Sequence, residues 1–143
     1  MKLVIQRVKA AKVTVDGNVI SSIDKGLLIL AGIGKEDKVI DLERAAKKVA
    51  NLRIFDDGLG KMNLNIKQIE GAILSVPQFT LYADIEHGNR PGFKGAAQPK
   101  VAQEYWGMFN SLLQGHGVDV KIGIFGEHME VQLINDGPVT IIL

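Results

Sequence analysis

The chain has 143 residues, of which 46% are apolar and 23% are charged, a composition typical of one globular domain with a real core. It contains no cysteine, which excludes disulfides, thiolate metal sites and cysteine nucleophiles. The net charge of +1 gives no general attraction to nucleic acid, so such binding would need a local basic patch. The N-terminal residues do not match a secretory signal, and no apolar run approaches the roughly 18–20 residues that cross a bilayer. We therefore expect a cytoplasmic protein.

The first half of the chain predicts strands followed by a helix. Alternating apolar residues on both sides of Asp16-Gly17 predict a β-hairpin. The glycine-bounded apolar run at residues 26–34 predicts a strand buried on both faces. Apolar residues then recur at steps of three and four over residues 39–52, which is the spacing of an amphipathic helix. The Asp- and Gly-rich segment 55–61 predicts a loop.

The second half repeats this alternation. Residues 72–76 predict a second buried strand, and a loop rich in Gly, Pro and Lys at 87–99 precedes a second helix at 101–113. The apolar runs that follow predict closing strands, and the last two runs are separated at Gly137-Pro138. Proline fixes φ and lacks a ladder donor, so we do not expect Pro138 inside a central strand.

These elements predict one α/β domain over residues 1–143, with about seven strands and two helices. Its usual catalytic and metal-binding patterns are missing. His87, His116 and His128 do not have the spacing of a metal site, and exposed positions are expected for them. Asp56-Asp57 lacks the further oxygens of a calcium loop, and Gly32-Ile33-Gly34-Lys35 lacks the third glycine of a dinucleotide loop. We expect no metal and no cofactor.

One polar segment follows the second buried strand at its carboxyl end, where open α/β sheets tend to bind ligands. It contains Gln78, Phe79 and Thr80. The Gln78 amide can donate and accept hydrogen bonds, whereas the Thr80 hydroxyl has no visible base to activate it. Two readings stay open at this point: a ligand-binding edge, or the polar face of a half-buried strand.

A second candidate is the loop around Arg90 and Lys94, with Lys100 shortly after it. Its cations could contact phosphates, and its aromatic residue, Phe93, could stack on a base. A solvated connector is at least as good a reading of the same residues.

Gly137-Pro138 is the third candidate. A rigid, donor-free segment with almost no side chain can be a simple turn. It can also limit the shape of a bound ligand through steric contact with the backbone alone. An X-Pro bond is also the common place for a cis peptide.

Taken together, these segments resemble the D-aminoacyl-tRNA deacylase family, of the D-tyrosyl-tRNA deacylase type, over nearly the whole chain. The resemblance rests on the following motifs: Gln6-Arg7-Val8, Arg53-Ile54-Phe55, Gly60-Lys61-Met62-Asn63-Leu64-Asn65, Gln78-Phe79-Thr80-Leu81, Gly88-Asn89-Arg90-Pro91 and Asn135-Asp136-Gly137-Pro138-Val139-Thr140. The Gln-Phe-Thr-Leu run and the last motif are the family's signatures.

The resemblance implies a mixed, barrel-like sheet and a homodimer that cleaves the ester between a D-amino acid and the 3′-terminal adenosine of tRNA, and that also removes mischarged glycine. It implies that Gly137-Pro138 is cis and enters the partner subunit's pocket. There, its carbonyl groups would hold the substrate's amino group and exclude an L side chain. Arg7, with Gln6 beside it, would buttress this segment.

The resemblance also implies a reaction without a metal or a side-chain nucleophile. The substrate's own 2′-hydroxyl would assist, while backbone N–H groups around Gln78, Phe79 and Thr80 stabilise the oxyanion. The chain departs from the family at Pro77, where a serine is usual, so no role of that serine can be carried over. Two rivals stay open: a non-enzymatic nucleic-acid-binding protein that uses Arg90, Lys94 and Lys100, and an L-specific editing relative.

Overall fold

The computed structural model describes residues 1–143. It contains eight strands, two α-helices and one short 3₁₀ turn. The strands are β1 (Lys2–Val15), β2 (Asn18–Ile23), β3 (Gly26–Gly32), β4 (Phe55–Asp56), β5 (Met62–Leu64), β6 (Ala72–Pro77), β7 (Asp119–Ile122) and β8 (Glu130–Ile142). The helices are α1 (Val39–Asn51) and α2 (Pro99–Gly115), and the 3₁₀ turn is Phe79–Tyr82.

Six strands form one mixed sheet in the order β2-β1-β3-β6-β7, with β8 paired to the other edge of β1. The long strand β1 pairs antiparallel with β3 through its first half and with β2 through its second half. Strands β3, β6 and β7 are parallel, as expected when helices connect them. The Ser21 hydroxyl donates to the Ile122 carbonyl at 2.8 Å, which ties β2 to β7 and curls the sheet toward a barrel.

Apolar side chains fill both faces of this sheet. The larger cluster packs β1, β3 and β6 against α1 and α2, and the smaller one lies inside the curl of the sheet. Strand β3 contributes to both clusters, since Leu27 and Ile29 face the helices while Leu28 faces the curl. The apolar run of β3 is continuous in the sequence because both faces of this strand are buried.

Both predicted helices are present. At the start of α1, the Asp41 carboxylate accepts the Lys38 backbone N–H at 2.9 Å, and α2 begins with Pro99, which loses no helical hydrogen bond there. The mixed, barrel-like sheet and the compact domain confirm the predicted fold class, with eight strands instead of about seven. Neither helix is long and apolar enough to cross a membrane.

Two local expectations were wrong. The predicted loop at 55–61 begins with a short strand, β4, which pairs with β5 as a two-stranded hairpin. The closing strands are not separated at Gly137-Pro138, because β8 continues through Pro138. Strand β8 pairs with β1 alone, so one of its edges is free and a residue without an N–H is tolerated there.

Candidate functional site

The most irregular part of the sheet is residues 136–139 of β8, which we call the tip. Val8 pairs with Asn135 and Gln6 pairs with Thr140, so the tip's residues oppose Arg7 alone. This wide bulge projects Gly137 and Pro138 into solvent, where both are exposed. The tip therefore presents main-chain groups to whatever lies beside the sheet.

Gly137 is required by the backbone of the tip. Its φ is +133°, a conformation that other residues rarely adopt, and the bond to Pro138 is cis. A Cβ at this position would lie 2.9 Å from both Val139 Cγ2 and the Val139 backbone nitrogen, and 3.4 Å from an Arg7 guanidinium nitrogen. No side chain fits without moving the tip.

Arg7 braces the tip from behind. Its side chain is buried on the helix-facing side of β1, and its Nε–H donates to the Asp136 carbonyl at 2.9 Å. One terminal nitrogen donates to the Ile54 carbonyl at 2.7 Å and lies 3.4 Å from the Asp56 carboxylate. Because a planar guanidinium makes these contacts from a fixed fork, the tip and the β4 hairpin are held as one unit. The Gln6 amide reaches the Thr140 hydroxyl only at 3.5 Å.

The other predicted segment lies where β6 ends. Pro77 is the last residue of β6, beside Ala31 of β3, and the Gln78 N–H donates to the Ala31 carbonyl at 2.8 Å. The 3₁₀ turn starts immediately afterward, so the N–H groups of Phe79 and Thr80 have no acceptor within the protein. The Gln78 side-chain amide donates to the Thr80 hydroxyl. This geometry supplies two adjacent free donors, as an oxyanion would need.

A cleft of about 270 Å³ opens beside this segment. Its walls are the end of β6 with Gln78 and Phe79, the α2 residues Ala102 and Trp106, and residues 125–129 of the loop before β8. Trp106 is only 5% exposed and donates its indole N–H to the Ser75 hydroxyl at 2.9 Å, which fixes the cleft's floor.

Sequence reasoning missed most of this cleft. Ala102 and Trp106 belong to the apolar stripe of α2, a pattern that indicates core equally well. Met129 is held because its sulfur accepts the Ile124 N–H at 3.4 Å, a contact without any sequence signal. Of the three histidines, His87 and His128 are exposed, His116 is half-buried, and only His128 lines the cleft. No group of three His, Cys, Asp or Glu residues is placed to hold a metal ion.

The loop around Arg90 and Lys94, which we call the cationic loop, lies next to the same segment. Phe93 makes an edge-on contact with Phe79 at 4.9 Å between ring centroids, and 56% of Phe79 remains exposed. Arg90, Lys94 and Lys100 are exposed, and none of them forms an ion pair. Free positive charge therefore lies in the loop that contacts Phe79 and in the first turn of α2.

The two signature motifs do not meet within one chain. The tip opposes Arg7, which aligns across the sheet with Leu27 and Ile73, whereas the cleft begins four residues further along at Pro77. The tip and the start of the cleft are therefore roughly 14 Å apart across three strand spacings, and roughly 13 Å apart along four residues of β6. Neither Gly137 nor Pro138 lines the cleft.

The structure is thus a mixed α/β domain with two adjacent free backbone N–H donors where β6 ends. A family model described as D-Tyr-tRNA(Tyr) deacylase matches residues 4–143, and the chain belongs to that family. The family consists of hydrolases that act on the ester bonds of aminoacyl-tRNA, and membership supports D-aminoacyl-tRNA deacylase activity for this chain.

Two solved structures resemble the chain along almost its whole length. One, titled c-Myc DNA Unwinding Element Binding Protein, is 40% identical, with a TM-score of 0.94 over 100% of this chain and 97% of that one. The other, described as a probable eukaryotic D-amino acid tRNA deacylase, is 16% identical, with a TM-score of 0.84 over 99% of this chain and 97% of that one. The second likeness supports the fold.

Proposed function

We propose that this protein proofreads chirality in translation by hydrolysing D-aminoacyl-tRNA and mischarged glycyl-tRNA in the cytoplasm. The observation that carries this proposal is the pair of free N–H groups, on Phe79 and Thr80, at the rim of a cleft. The exposed, glycine-dependent tip, which lies elsewhere on the same sheet, supplies the second part of the site. The cleft would hold the 3′-terminal adenosine, and the tip would read the configuration of the amino acid.

Catalysis in this proposal rests on positioning. Water attacks the ester carbonyl, the two N–H groups stabilise the developing oxyanion, and the bond to the ribose oxygen breaks with help from the neighbouring 2′-hydroxyl. The products are the free amino acid and tRNA with its terminal hydroxyl restored. Pro77 offers neither a hydroxyl nor an N–H, and the Gln78 N–H already binds Ala31. Phe79 and Thr80 therefore remain as the backbone donors, and Gln78 orients the Thr80 hydroxyl.

Selectivity in this proposal comes from the tip. The carbonyl groups of Gly137 and Pro138 would accept hydrogen bonds from the substrate's ammonium group, and an L side chain would run into the tip, whereas a D side chain or a glycine would not. The hydrogen bonds from Arg7 support this role, because a backbone segment can exclude a side chain by steric conflict only if the segment does not move.

The distance between the tip and the cleft favours a homodimer in which each tip enters the partner's cleft. An uncovered apolar strip supports this arrangement: Ile142 is 80% exposed, and its register neighbours Val4 and Leu30 are half-buried. A second copy that covers this strip would also complete the site.

Binding of tRNA would rest on phosphate contacts from Arg90, Lys94 and Lys100, which are free of carboxylate partners. The same cations support a second candidate function, a nucleic-acid-binding module. That candidate is favoured by the 40% identical relative, whose name describes a DNA-binding protein.

One assay separates these functions. Purified protein is incubated with D-Tyr-tRNA, Gly-tRNA and L-Tyr-tRNA, and loss of each ester is followed. Cleavage of the first two with L-Tyr-tRNA spared supports chiral proofreading. Cleavage of L-Tyr-tRNA contradicts the role of the tip, and binding of tRNA or DNA without any cleavage favours the binding module.

A further inference from the structure

Met129 brings a methionine sulfur to the wall of the cleft. Its side chain is half-buried and lies at the end of the loop of residues 123–129, which joins β7 to β8. The chain's other methionines, Met1, Met62 and Met108, do not line the cleft, so this is the cleft's only sulfur. Because the cleft is open to solvent, small solutes can reach this sulfur through it.

The sulfur fits against the backbone because residue 123 is a glycine. A Cβ on Gly123 would lie only 2.7 Å from the Met129 sulfur and 3.9 Å from its terminal methyl carbon. The sulfur thus occupies the space that a side chain at residue 123 would need. The Ile124 N–H donates to the same sulfur at 3.4 Å, and this contact uses one of the lone pairs of the thioether.

These contacts hold one wall of the cleft. The Gly123 N–H donates to the Ser75 carbonyl at 2.9 Å, which ties the start of the loop to β6. The Met129 sulfur then joins the two ends of the loop through Ile124. Between these points lies Phe125, whose ring centroid is 6.1 Å from that of Trp106 at the cleft's floor. A change at the sulfur therefore moves the wall to which this ring belongs.

We propose that Met129 is an oxidation site through which hydrogen peroxide reversibly impairs the cleft. A lone pair of the sulfur attacks one peroxide oxygen, the O–O bond breaks, and the other oxygen leaves as water after taking up the transferred oxygen's proton. The sulfur loses two electrons, the peroxide gains them, and the product is methionine sulfoxide. The effect on deacylation rests on the function proposed above, whereas the oxidation and its effect on the cleft do not.

The added oxygen disturbs the wall wherever it is placed on the sulfur. On the lone pair that faces Ile124, it would come between a sulfur and a nitrogen only 3.4 Å apart, so the loop would have to move away. On the other lone pair, it would place a strongly polar group against Gly123 or into the cleft. Either position weakens the binding of a ligand that fits the unoxidised cleft.

The test treats the purified protein with hydrogen peroxide and follows each methionine by peptide mass spectrometry. Oxidation of Met129 should raise the Kd for adenosine, read from the fluorescence of Trp106, roughly tenfold, and should lower kcat/KM on D-Tyr-tRNA by a similar factor. Methionine sulfoxide reductases with a thiol reductant should restore both values. Bound adenosine should slow the oxidation of Met129 but not that of Met62, which is 58% exposed and lies outside the cleft.

Two variants assign the effect to one sulfur. Met129→Leu keeps an apolar side chain of similar size and removes the sulfur, and Met62→Leu is the matched control on an exposed methionine. The adenosine affinity and the activity that Met129→Leu retains should resist peroxide. Met62→Leu should lose both under peroxide to the same extent as the parent.

Three outcomes would overturn the proposal: a Met129 that stays reduced while Met62 is oxidised, an unchanged adenosine affinity once Met129 is fully oxidised, or an equal loss in Met129→Leu. Failure of the proposed function looks different. If the untreated protein neither cleaves an ester nor binds adenosine, that function fails, and the Ile124 amide signal in NMR spectra then decides the oxidation proposal alone. A signal that does not shift when Met129 is oxidised would overturn it.

Discussion

Replacing Gly137 by alanine tests the tip most directly. The added Cβ would approach the Val139 nitrogen and Cγ2 to 2.9 Å, and the backbone nitrogen cannot move away without moving the tip. The φ of +133° adds strain for any residue with a side chain, so the total cost is about 1–3 kcal/mol. A tip shifted by several tenths of an ångström no longer places its carbonyls, and we expect kcat/KM on D-Tyr-tRNA to fall by about 10- to 100-fold.

Gly107→Ala is the matched control. Gly107 lies in the middle of α2, where a Cβ would meet nothing within 4 Å. The same methyl group should there stabilise the fold by about 0.5–1 kcal/mol and leave deacylation unchanged. Thermal unfolding and initial-rate assays on both variants provide the comparison. Parental kcat/KM in Gly137→Ala, on both D-Tyr-tRNA and L-Tyr-tRNA, would refute the steric role of the tip.

Three further predictions concern buried or half-buried polar groups. Arg7→Lys replaces the planar fork with a single ammonium group, so kcat/KM should fall about tenfold; a parental rate would show that the brace is dispensable. Asn110→Leu should raise the free energy of unfolding by about 1 kcal/mol in urea titrations, because neither polar atom of this buried amide has a partner in the protein; a loss of stability would contradict this. Absorbance titration should show one tyrosine ionising near pH 12, and Tyr82→Phe should abolish that step. Since folding raises this pKa from 10.0, the stabilisation is complete below pH 10 and is lost as the pH rises through 12.

Periodicity was enough to predict most of the fold. The run around Leu27 to Ile29 indicated a strand buried on both faces, and the apolar spacing in α1 and α2 indicated helices packed on a sheet. Pro138 was placed wrongly because the rule against proline in strands applies to central strands. The sequence does not show that β8 is an edge strand, since this depends on long-range pairing with β1.

The site was predictable only in part. The segment 78–80 stands out because its residues are unusual for the end of a buried strand. The tip stands out because glycine and proline are unusual inside a strand. The cleft wall at Trp106 does not stand out, because a tryptophan in an apolar helical stripe is expected in any core. The free N–H groups of Phe79 and Thr80 also have no sequence signal, since they follow from where the 3₁₀ turn begins.

The separation of tip and cleft leads to a prediction about mixed dimers. Gly137→Ala damages the tip and leaves the cleft intact, whereas Thr80→Pro removes one free N–H together with the Thr80 hydroxyl and leaves the tip intact. If each tip serves the partner's cleft, a mixed dimer of the two variants contains one undamaged site and one doubly damaged site. Random refolding of an equal mixture makes about half of the dimers mixed, so about a quarter of the parental activity should return.

Each variant refolded alone is the control, and both should remain nearly inactive. Thr80→Pro is a fair partner because the Thr80 N–H has no acceptor in the protein, so proline breaks no backbone hydrogen bond there. It also removes the Thr80 hydroxyl that accepts from the Gln78 amide, and this second loss lies in the same segment. Activity that stays at the level of the two separate variants would mean that each tip serves its own chain. That result would require the tip to move roughly 14 Å across the strands and roughly 13 Å along them to reach its own cleft. Such a movement would contradict the Arg7 hydrogen bonds, which hold the tip in place.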